Sequence, residues 1–272
     1  MNLFKKTKKT ETVTETVTVT KAASEPEKGM KSVAPKAVGK LDMVIAFDTT
    51  GSMASYIGAV RKEVSELIPR LFKDNEDLRL GIVAFGDYCD MVTAEIFGDA
   101  YQCIHPTDNE NDLVKFVMES KNTSGGDGDE FYELVLKRII EETPWRFGST
   151  RSILLIADAA PHPLGYTYRD YVVGNQIDWR LEARKAADAK IKIDTVTISD
   201  ESWYRELSKM TNGVSVPFSS GHKTATLVEA AVASRGSMCA RAHFDAMKAK
   251  YAADNEMSAV FNSYQAERDD ID

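Results

Sequence analysis

An apolar run that ends in an aspartate and two hydroxyl groups constrains this chain more than any other feature. Residues 41–47 are almost wholly apolar, as expected of a parallel strand that is covered on both faces. Asp48 follows at once, Thr50 and Ser52 take the next two alternate positions, and a helix-like segment begins after them. Open α/β sheets place their ligands in such turns, at the carboxyl ends of strands. The sequence therefore predicts three oxygen donors at one edge of a sheet.

Strand-like and helix-like segments alternate along the following residues, which predicts an α/β fold with a mainly parallel sheet. Further strands are expected at 78–85, 91–97, 152–157, 191–199 and 213–218. The segments 78–85 and 91–97 are close enough to pair as a hairpin. Helices are expected at about 53–72, 108–120 (capped by Thr107 or Asp108), 129–142, 178–190, 201–210 and 224–234.

Three separated motifs resemble those of von Willebrand factor A (vWA) domains. The turn after the first strand is similar to the family's Asp-x-Ser-x-Ser signature, with Thr50 in place of the first serine. Residues 122–130 resemble the glycine-rich loop of the vWA branch found in some α-kinase proteins, and residues 152–162 resemble an apolar strand of that branch that ends in an aspartate. The motifs occur in the family's order, and the resemblance covers roughly residues 40–235.

The resemblance implies a three-layer, Rossmann-like fold with helices on both faces of the sheet. It also implies a metal-ion-dependent adhesion site (MIDAS) for Mg²⁺ or Mn²⁺, in agreement with the hard oxygen donors of the first turn. In this family the hydroxyls bind the ion directly, the aspartates act mostly through water, and an acidic group of a partner completes the site. The implied ligands are Asp48, Thr50, Ser52, Thr123 and Asp158.

Other residues are expected around these ligands. Ser124 is an alternative to Thr123 as the hydroxyl that faces the metal, and Asp127 and His162 are expected just outside the ion's ligands. The segment that follows Asp158 would leave the sheet on the same edge as the metal. Tyrosine and arginine are enriched at interface hot spots, so this segment is a candidate rim for partner recognition, although its tyrosines could instead pack over the sheet. The rim candidates are Tyr166, Tyr168, Arg169 and Tyr171.

These features predict a non-enzymatic module that uses a bound Mg²⁺ or Mn²⁺ to engage an Asp or Glu of a partner protein. Two alternatives stay open. The first turn also resembles the Asp-x-Thr-Gly-Thr motif of P-type pumps and haloacid dehalogenases, which would make Asp48 the nucleophile of a phosphotransferase or phosphatase. That family usually has a second acidic residue two positions on or a lysine just after the nucleophile, where this chain has threonines. The second alternative is a metal-independent structural or assembly protein.

The two ends of the chain differ from the predicted vWA-like domain, residues 41–235. Residues 1–40 contain nine lysines against four glutamates and carry +5, whereas the whole chain carries −8. Such a composition predicts a solvated arm that is disordered in isolation, and its lysines are the only hint of nucleic-acid or membrane-surface contact. Residues 236–272 are expected to form a helical extension whose apolar face packs on the sheet or binds a partner.

The sequence also indicates a compartment. It contains no apolar stretch long enough to span a bilayer, and no hydrophobic segment follows the N-terminal lysines. The three cysteines are widely spaced and odd in number, which fits neither a disulfide framework nor a zinc site. We therefore expect a cytoplasmic protein in a reducing environment.

Overall fold

The apolar runs of the sequence form the strands of a central six-stranded sheet. The structure is a computed structural model that describes residues 39–92, 99–168, 171–172, 176–217, 223–236 and 238–269. Its strands are β1 (Leu41–Asp48), β2 (Leu78–Phe85), β3 (Tyr101–Thr107), β4 (Asp129–Glu130), β5 (Thr150–Ala157), β6 (Ala160–Pro161), β7 (Thr167–Tyr168), β8 (Tyr171–Val172), β9 (Ile191–Thr197) and β10 (Ser215–Pro217). The large sheet has the order β10-β9-β5-β1-β2-β3, and all its pairs are parallel except β2 with β3.

Helices surround this sheet, as predicted for a three-layer α/β fold. They are α1 (Ile57–Asp74), α2 (Tyr88–Val92), α3 (Glu110–Glu119), α4 (Tyr132–Glu142), α5 (Trp179–Asp188), α6 (Ser202–Met210), α7 (Lys223–Arg235), α8 (Met238–Lys250) and α9 (Asn255–Asp269). Polar side chains begin two of them, because the carboxylate of Asp178 accepts the Arg180 N–H and the amide of Asn109 accepts the Asp112 N–H.

Strand β1 lies in the middle of the sheet and is buried along its whole length. Its residues alternate between two hydrophobic clusters, as the geometry of a strand requires. Met43, Ile45 and Phe47 belong to one cluster with residues of α1, α3 and the three C-terminal helices. Val44 and Ala46 belong to the other, with residues of α4, α5 and α6. Both faces of β1 are therefore covered, which explains its almost continuous apolar sequence.

The structure corrects one predicted hairpin. The antiparallel partner of β2 is β3, not the segment 91–97, whose first residue, Met91, lies in α2; residues 93–98 lie outside the described residues. A local turn explains the start of α2, since the Asp90 N–H bonds the Asp87 carbonyl and the Asp90 carboxylate accepts the Asp87 N–H. The helix expected from residue 129 begins at Tyr132, because residues 129–130 form β4.

The predicted C-terminal helix is two helices, α8 and α9, separated by a turn at residues 251–254. The apolar residues of α8 and α9 pack on the domain itself, which was the first of the two alternatives expected for this extension. The packed residues are Ala240, Phe244, Met247, Tyr251, Met257, Val260, Phe261 and Tyr264. Among the described residues, no helix is long and apolar enough to cross a membrane. The predicted N-terminal arm, residues 1–40, lies almost wholly outside the described residues.

Candidate metal centre

Four of the five predicted ligands meet at the carboxyl ends of β1 and β5. Oδ1 of Asp48 accepts hydrogen bonds from the backbone N–H of Thr50 (2.7 Å) and from its hydroxyl (2.6 Å). The Thr50 hydroxyl lies 3.2 Å from that of Ser52, which in turn donates to Oδ1 of Asp158 at 3.1 Å. Asp48 is fully buried, whereas Ser52 is exposed. These oxygens form one connected group that opens to solvent on the Ser52 side.

The fifth predicted ligand, Thr123, lies beside this group but makes different contacts. Its hydroxyl is 3.0 Å from the hydroxyl of Thr49, and its N–H donates to the Thr49 carbonyl at 3.0 Å. Ser124, the alternative ligand, is exposed, and its carbonyl accepts the Gly51 N–H at 3.0 Å. The structure therefore brings the second loop against the first turn, while no hydrogen bond joins either hydroxyl to Asp48, Thr50, Ser52 or Asp158 within the described part of the chain.

Asp90 holds the second loop in this position. Its carboxylate accepts the N–H groups of Ser124 (2.8 Å) and Gly125 (3.1 Å). Gly86 permits the close approach, because a Cβ at that position would lie 2.4 Å from the Thr123 hydroxyl. Gly125 has a φ of +70°, which favours glycine. The sequence gives no local signal of this bond, because it spans more than thirty residues.

Glu130 adds a third carboxylate that the predicted ligand set did not include. A Cβ at Gly125 would lie 2.9 Å from Oε1 of Glu130 and 3.2 Å from Cβ of Thr50, so these two side chains are neighbours. The pairing of β4 with β6 fixes Glu130 opposite Pro161, close to the loop that carries Asp158. Oε2 of Glu130 is buried and has no hydrogen-bond partner among the described residues. It is therefore a polar atom that a ligand could satisfy.

The electrostatics of this group favour a bound cation. Burial raises the pKa of Asp48 to about 7, although Thr50 and Tyr132 donate hydrogen bonds to it. Burial raises the pKa of Glu130 to about 10, and the charges of Asp48 and Asp87 add to this effect. Burial also raises the pKa of Asp158. Within the described residues no ion pair joins Asp48, Glu130 or Asp158 to a lysine or arginine.

Tyr132 is a second residue that sequence reasoning missed. Its hydroxyl donates to Oδ2 of Asp48 at 2.5 Å and accepts the Ala159 N–H at 3.2 Å. Tyr132 is fully buried at the start of α4, so it links the end of β1 to the segment after β5. The contact joins residues 84 positions apart, and a single tyrosine among ten in the chain carries no local signal of it.

The residues predicted just outside the ligands form a separate group. Nε2 of His162 lies 2.6 Å from Oδ1 of Asp87, and Asp127 accepts a hydrogen bond from the Tyr166 hydroxyl at 2.9 Å. The His162 ring stacks on the Tyr166 ring, with 3.6 Å between centroids. His162 and Asp127 therefore make their contacts with Asp87 and Tyr166 rather than with the Asp48 group. The sequence analysis did not identify Asp87, whose contact with His162 joins residues 75 positions apart.

Only part of the predicted partner rim lies within the described residues. Tyr166 also stacks against Tyr88, so its ring packs on the domain, and Tyr168 is half-buried. Tyr166 therefore fits the alternative interpretation, in which these tyrosines pack over the sheet. Arg169 and the side chain of Tyr171 lie outside the described residues. The rim remains a prediction.

The donor set fits a hard divalent cation. Two aspartates, two hydroxyls and a neighbouring glutamate supply only oxygen atoms, which suits Mg²⁺ or Mn²⁺. Within the described residues the buried carboxylates have no lysine or arginine partner, and one Glu130 oxygen is unsatisfied. A cation at this place would remove the electrostatic cost of holding these carboxylates together.

Comparison with known proteins supports the resemblance seen in the motifs. A family model described as the von Willebrand factor type A domain matches residues 42–229. A putative ariadne-like RING finger protein of Acanthamoeba polyphaga mimivirus is 22% identical over 122 residues, which is 45% of this chain and 11% of that protein. The alpha-protein kinase vwkA of Dictyostelium discoideum is 27% identical over 130 residues, which is 46% of this chain and 19% of that protein.

The chain thus spans less than a fifth of the length of these two curated relatives. Among solved structures, the crystal structure of the conserved hypothetical protein BatB from Bacteroides thetaiotaomicron aligns with a TM-score of 0.47 and 15% identity. The alignment covers 69% of this chain and 95% of that one.

Proposed function

This chain belongs to the von Willebrand factor type A family, and on that premise we propose that it is a non-enzymatic module that binds a protein partner through a bound Mg²⁺ or Mn²⁺. Asp48, Thr50, Ser52 and Asp158 would hold the ion, with Thr123 from the second loop. The bound ion supplies a Lewis-acidic position for an acidic side chain of the partner. The convergence of buried carboxylates that have no lysine or arginine partner among the described residues carries this proposal.

The contacts of Asp48 favour binding over phosphoryl transfer. Both of its oxygens already accept hydrogen bonds, Oδ1 from Thr50 and Oδ2 from Tyr132. A nucleophilic carboxylate needs an oxygen that is free to approach phosphorus, and it must be ionised. Burial raises the pKa of Asp48 to about 7. These contacts suit a carboxylate that orients hydroxyls and water around an ion, so we assign Asp48 to the metal site rather than to catalysis.

The metal site is tested by the stability of the full chain with Mg²⁺, with Mn²⁺ and with chelator. At an ion concentration 100 times its Kd, the ion should stabilise the wild type by roughly 2.7 kcal/mol. Asp158→Asn should remove this gain, because it removes a charged ligand at a half-exposed position. Thr50→Ser is the matched control, since it keeps the hydroxyl and should keep the gain. An equal gain in wild type and Asp158→Asn would refute the site.

The partner chemistry needs its own experiment. A displayed peptide library can be selected on the immobilised full chain in Mg²⁺ and eluted with EDTA. We expect the selected peptides to contain an Asp or Glu whose change to Asn or Gln abolishes binding. Binding should also be lost on Asp158→Asn and kept on Thr50→Ser. Selected peptides that bind equally well in EDTA would instead support the metal-independent assembly protein.

A further inference from the structure

A second group of metal-binding side chains lies outside the candidate Mg²⁺ site. Asp87 follows β2, Asp127 precedes β4, and His162 follows β6, so three loops contribute to it. Each residue offers one oxygen or nitrogen ligand atom, and the three atoms lie within 4.8 Å of one another. Such spacing allows all three to bind one ion.

Two of these side chains are buried and incompletely bonded. Asp87 is 0% exposed and His162 is 4% exposed. Oδ1 of Asp87 lies 2.6 Å from Nε2 of His162, but the other Asp87 oxygen, Oδ2, has no hydrogen-bond partner among the described residues. Nδ1 of His162 likewise has none within that part of the chain. Buried polar atoms are nearly always satisfied in folded proteins, so the unpaired Asp87 oxygen, beside the one that bonds His162, points to a missing ligand.

The surroundings orient the group and leave it negative. Tyr166 donates its hydroxyl to Oδ2 of Asp127 at 2.9 Å and stacks its ring on His162, so one side chain positions two members. Within the described residues no lysine or arginine forms an ion pair with Asp87 or Asp127. The charge on two nearby carboxylates is therefore balanced by no basic side chain other than the histidine.

We propose that Asp87, Asp127 and His162 form a second cation site that takes a divalent transition-metal ion, with Zn²⁺ as the best fit. One imidazole and two carboxylates are ligands that Zn²⁺ accepts, whereas Mg²⁺ prefers oxygen ligands and water. A three-residue set leaves a fourth position for water. The ion displaces the proton that His162 and Asp87 share, and that proton passes to solvent. This proposal does not rest on the proposed function.

The expected consequence is a cross-link between three loops. Asp127 lies in the loop that carries Thr123 and leads to Glu130 in β4. Asp87 lies three residues from Asp90, whose carboxylate accepts backbone N–H groups of the same loop. An ion at this place would fix that loop relative to the end of β2. The site thus supports the geometry beside the candidate Mg²⁺ site without sharing its ligands.

A similar group elsewhere lacks the main reason for an ion. Asp74, Glu229 and His243 also bring three ligand atoms within 4.8 Å. There, however, Nη1 of Arg70 lies 3.2 Å from Oε2 of Glu229, and His243 Nε2 lies 2.9 Å from its other oxygen. The chain supplies its own cation in that group, so His243 offers a useful control for histidine substitution.

The test is a calorimetric titration of the chelator-stripped full chain with Zn²⁺ in excess Mg²⁺, which occupies any hard-oxygen site. We expect one equivalent of Zn²⁺ to bind. Asp127→Asn changes an exposed side chain, so it should preserve the fold, and it should weaken binding by at least about tenfold. Asp129→Asn removes a carboxylate two residues further on, at the start of β4, and should leave binding unchanged. His162→Gln should weaken binding, whereas His243→Gln should not.

The outcomes separate this site from the candidate Mg²⁺ site. Asp158→Asn should leave Zn²⁺ binding intact, whether or not Mg²⁺ stabilises the protein. Equal Zn²⁺ affinity in wild type and Asp127→Asn would overturn the proposal, as would equal weakening by Asp127→Asn and Asp129→Asn, which would indicate diffuse attraction. Crystals of the full chain soaked in Zn²⁺ should give an anomalous peak between Asp87, Asp127 and His162, and a peak only elsewhere would also overturn it.

Discussion

The two ends of strand β1 hold a buried aspartate in opposite electrostatic settings. Asp42 lies near the start and Asp48 at the end, both are 0% exposed, and strand alternation puts them on the same face. Arg79 and Arg146 donate hydrogen bonds to both oxygens of Asp42. Burial alone would raise the pKa of Asp42, but the bonds from these arginines bring it below its ordinary value.

Asp48 has no arginine or lysine partner among the described residues. The side chains that donate to it, those of Thr50 and Tyr132, are neutral, and burial raises its pKa to about 7. The chain thus supplies its own cations at the amino end of the strand, where the result is structural. At the carboxyl end no described lysine or arginine pairs with Asp48, which is why we propose a bound ion there. Four experiments test this contrast between the two ends of β1.

The largest expected effect is the pH dependence of stability in chelator. The pKa of Asp48 is about 7 in the folded protein and 3.8 without the fold. Between these pH values the folded state keeps a proton that the unfolded state has lost, so stability falls as pH rises from about 4 to 7. The loss assigned to Asp48 is about 4 kcal/mol. Urea unfolding at a series of pH values measures it.

Asp48→Asn should remove this part of the slope and should make the protein more stable than wild type at pH 7 in chelator. Glu130, whose pKa is raised by burial and by the charge of Asp48, also contributes to the slope, so the difference between the two proteins measures Asp48 together with its effect on Glu130. Saturating Mg²⁺ should flatten the wild-type curve, because the ion stabilises the ionised carboxylate. Identical slopes for wild type and variant would remove the contrast between the two ends of β1.

The second-largest effect on stability is expected at the amino end of β1. Arg146 donates to Asp42, forms an ion pair with Asp77, and bonds the Leu41 carbonyl. Arg146→Met should cost about 3 kcal/mol in urea unfolding, because it leaves a buried carboxylate with less compensation. The loss should be the same with and without Mg²⁺. Arg180→Met, which breaks an exposed pair with Glu206, is the control and should cost less than about 1 kcal/mol.

A smaller effect is expected at Tyr132. Tyr132→Phe removes the hydroxyl that donates to Asp48 and accepts the Ala159 N–H, and it should cost about 1–2 kcal/mol. It should also raise the pKa of Asp48 further, so that the pH-dependent loss continues to higher pH. Tyr204→Phe is the matched control, because the Tyr204 hydroxyl donates to the Ala159 carbonyl at 2.7 Å. A pH profile that shifts equally in both variants would argue against the direct role of Tyr132.

The smallest effect on stability is expected at Ser52. Its side chain is exposed, so Ser52→Ala should change the free energy of unfolding in chelator by less than about 0.5 kcal/mol. The same change should reduce the stabilisation by Mg²⁺, because it removes a predicted ligand. Ser55 is also exposed and lies in the same short 3₁₀ helix, Ser52–Ser55. Ser55→Ala should alter neither the stability in chelator nor the stabilisation by Mg²⁺. A full Mg²⁺ response in Ser52→Ala would remove Ser52 from the site.

Local patterns predicted most of the fold. The apolar run of β1, its terminal aspartate and the alternation of strands and helices all lie within short windows, so they could be recognised without the structure. The predicted partner of β2 was wrong, because β3 pairs with β2, and Met91 at the start of the expected strand lies in α2; residues 93–98 lie outside the described residues. The helix expected from residue 129 began too early, because β4 pairs with a segment thirty residues later.

The sequence by itself determined which donors stand at the ends of β1 and β5, because strand ends and turn residues follow from local spacing. Only the tertiary structure decided the charge around them. The bonds from Tyr132 to Asp48 and from His162 to Asp87 join residues 84 and 75 positions apart, and Arg146 reaches Asp42 across 104. Such distant contacts depend on how the loops pack at each edge of the sheet, and in the part of the chain that the structure describes that packing brings no lysine or arginine to the carboxyl-end aspartates.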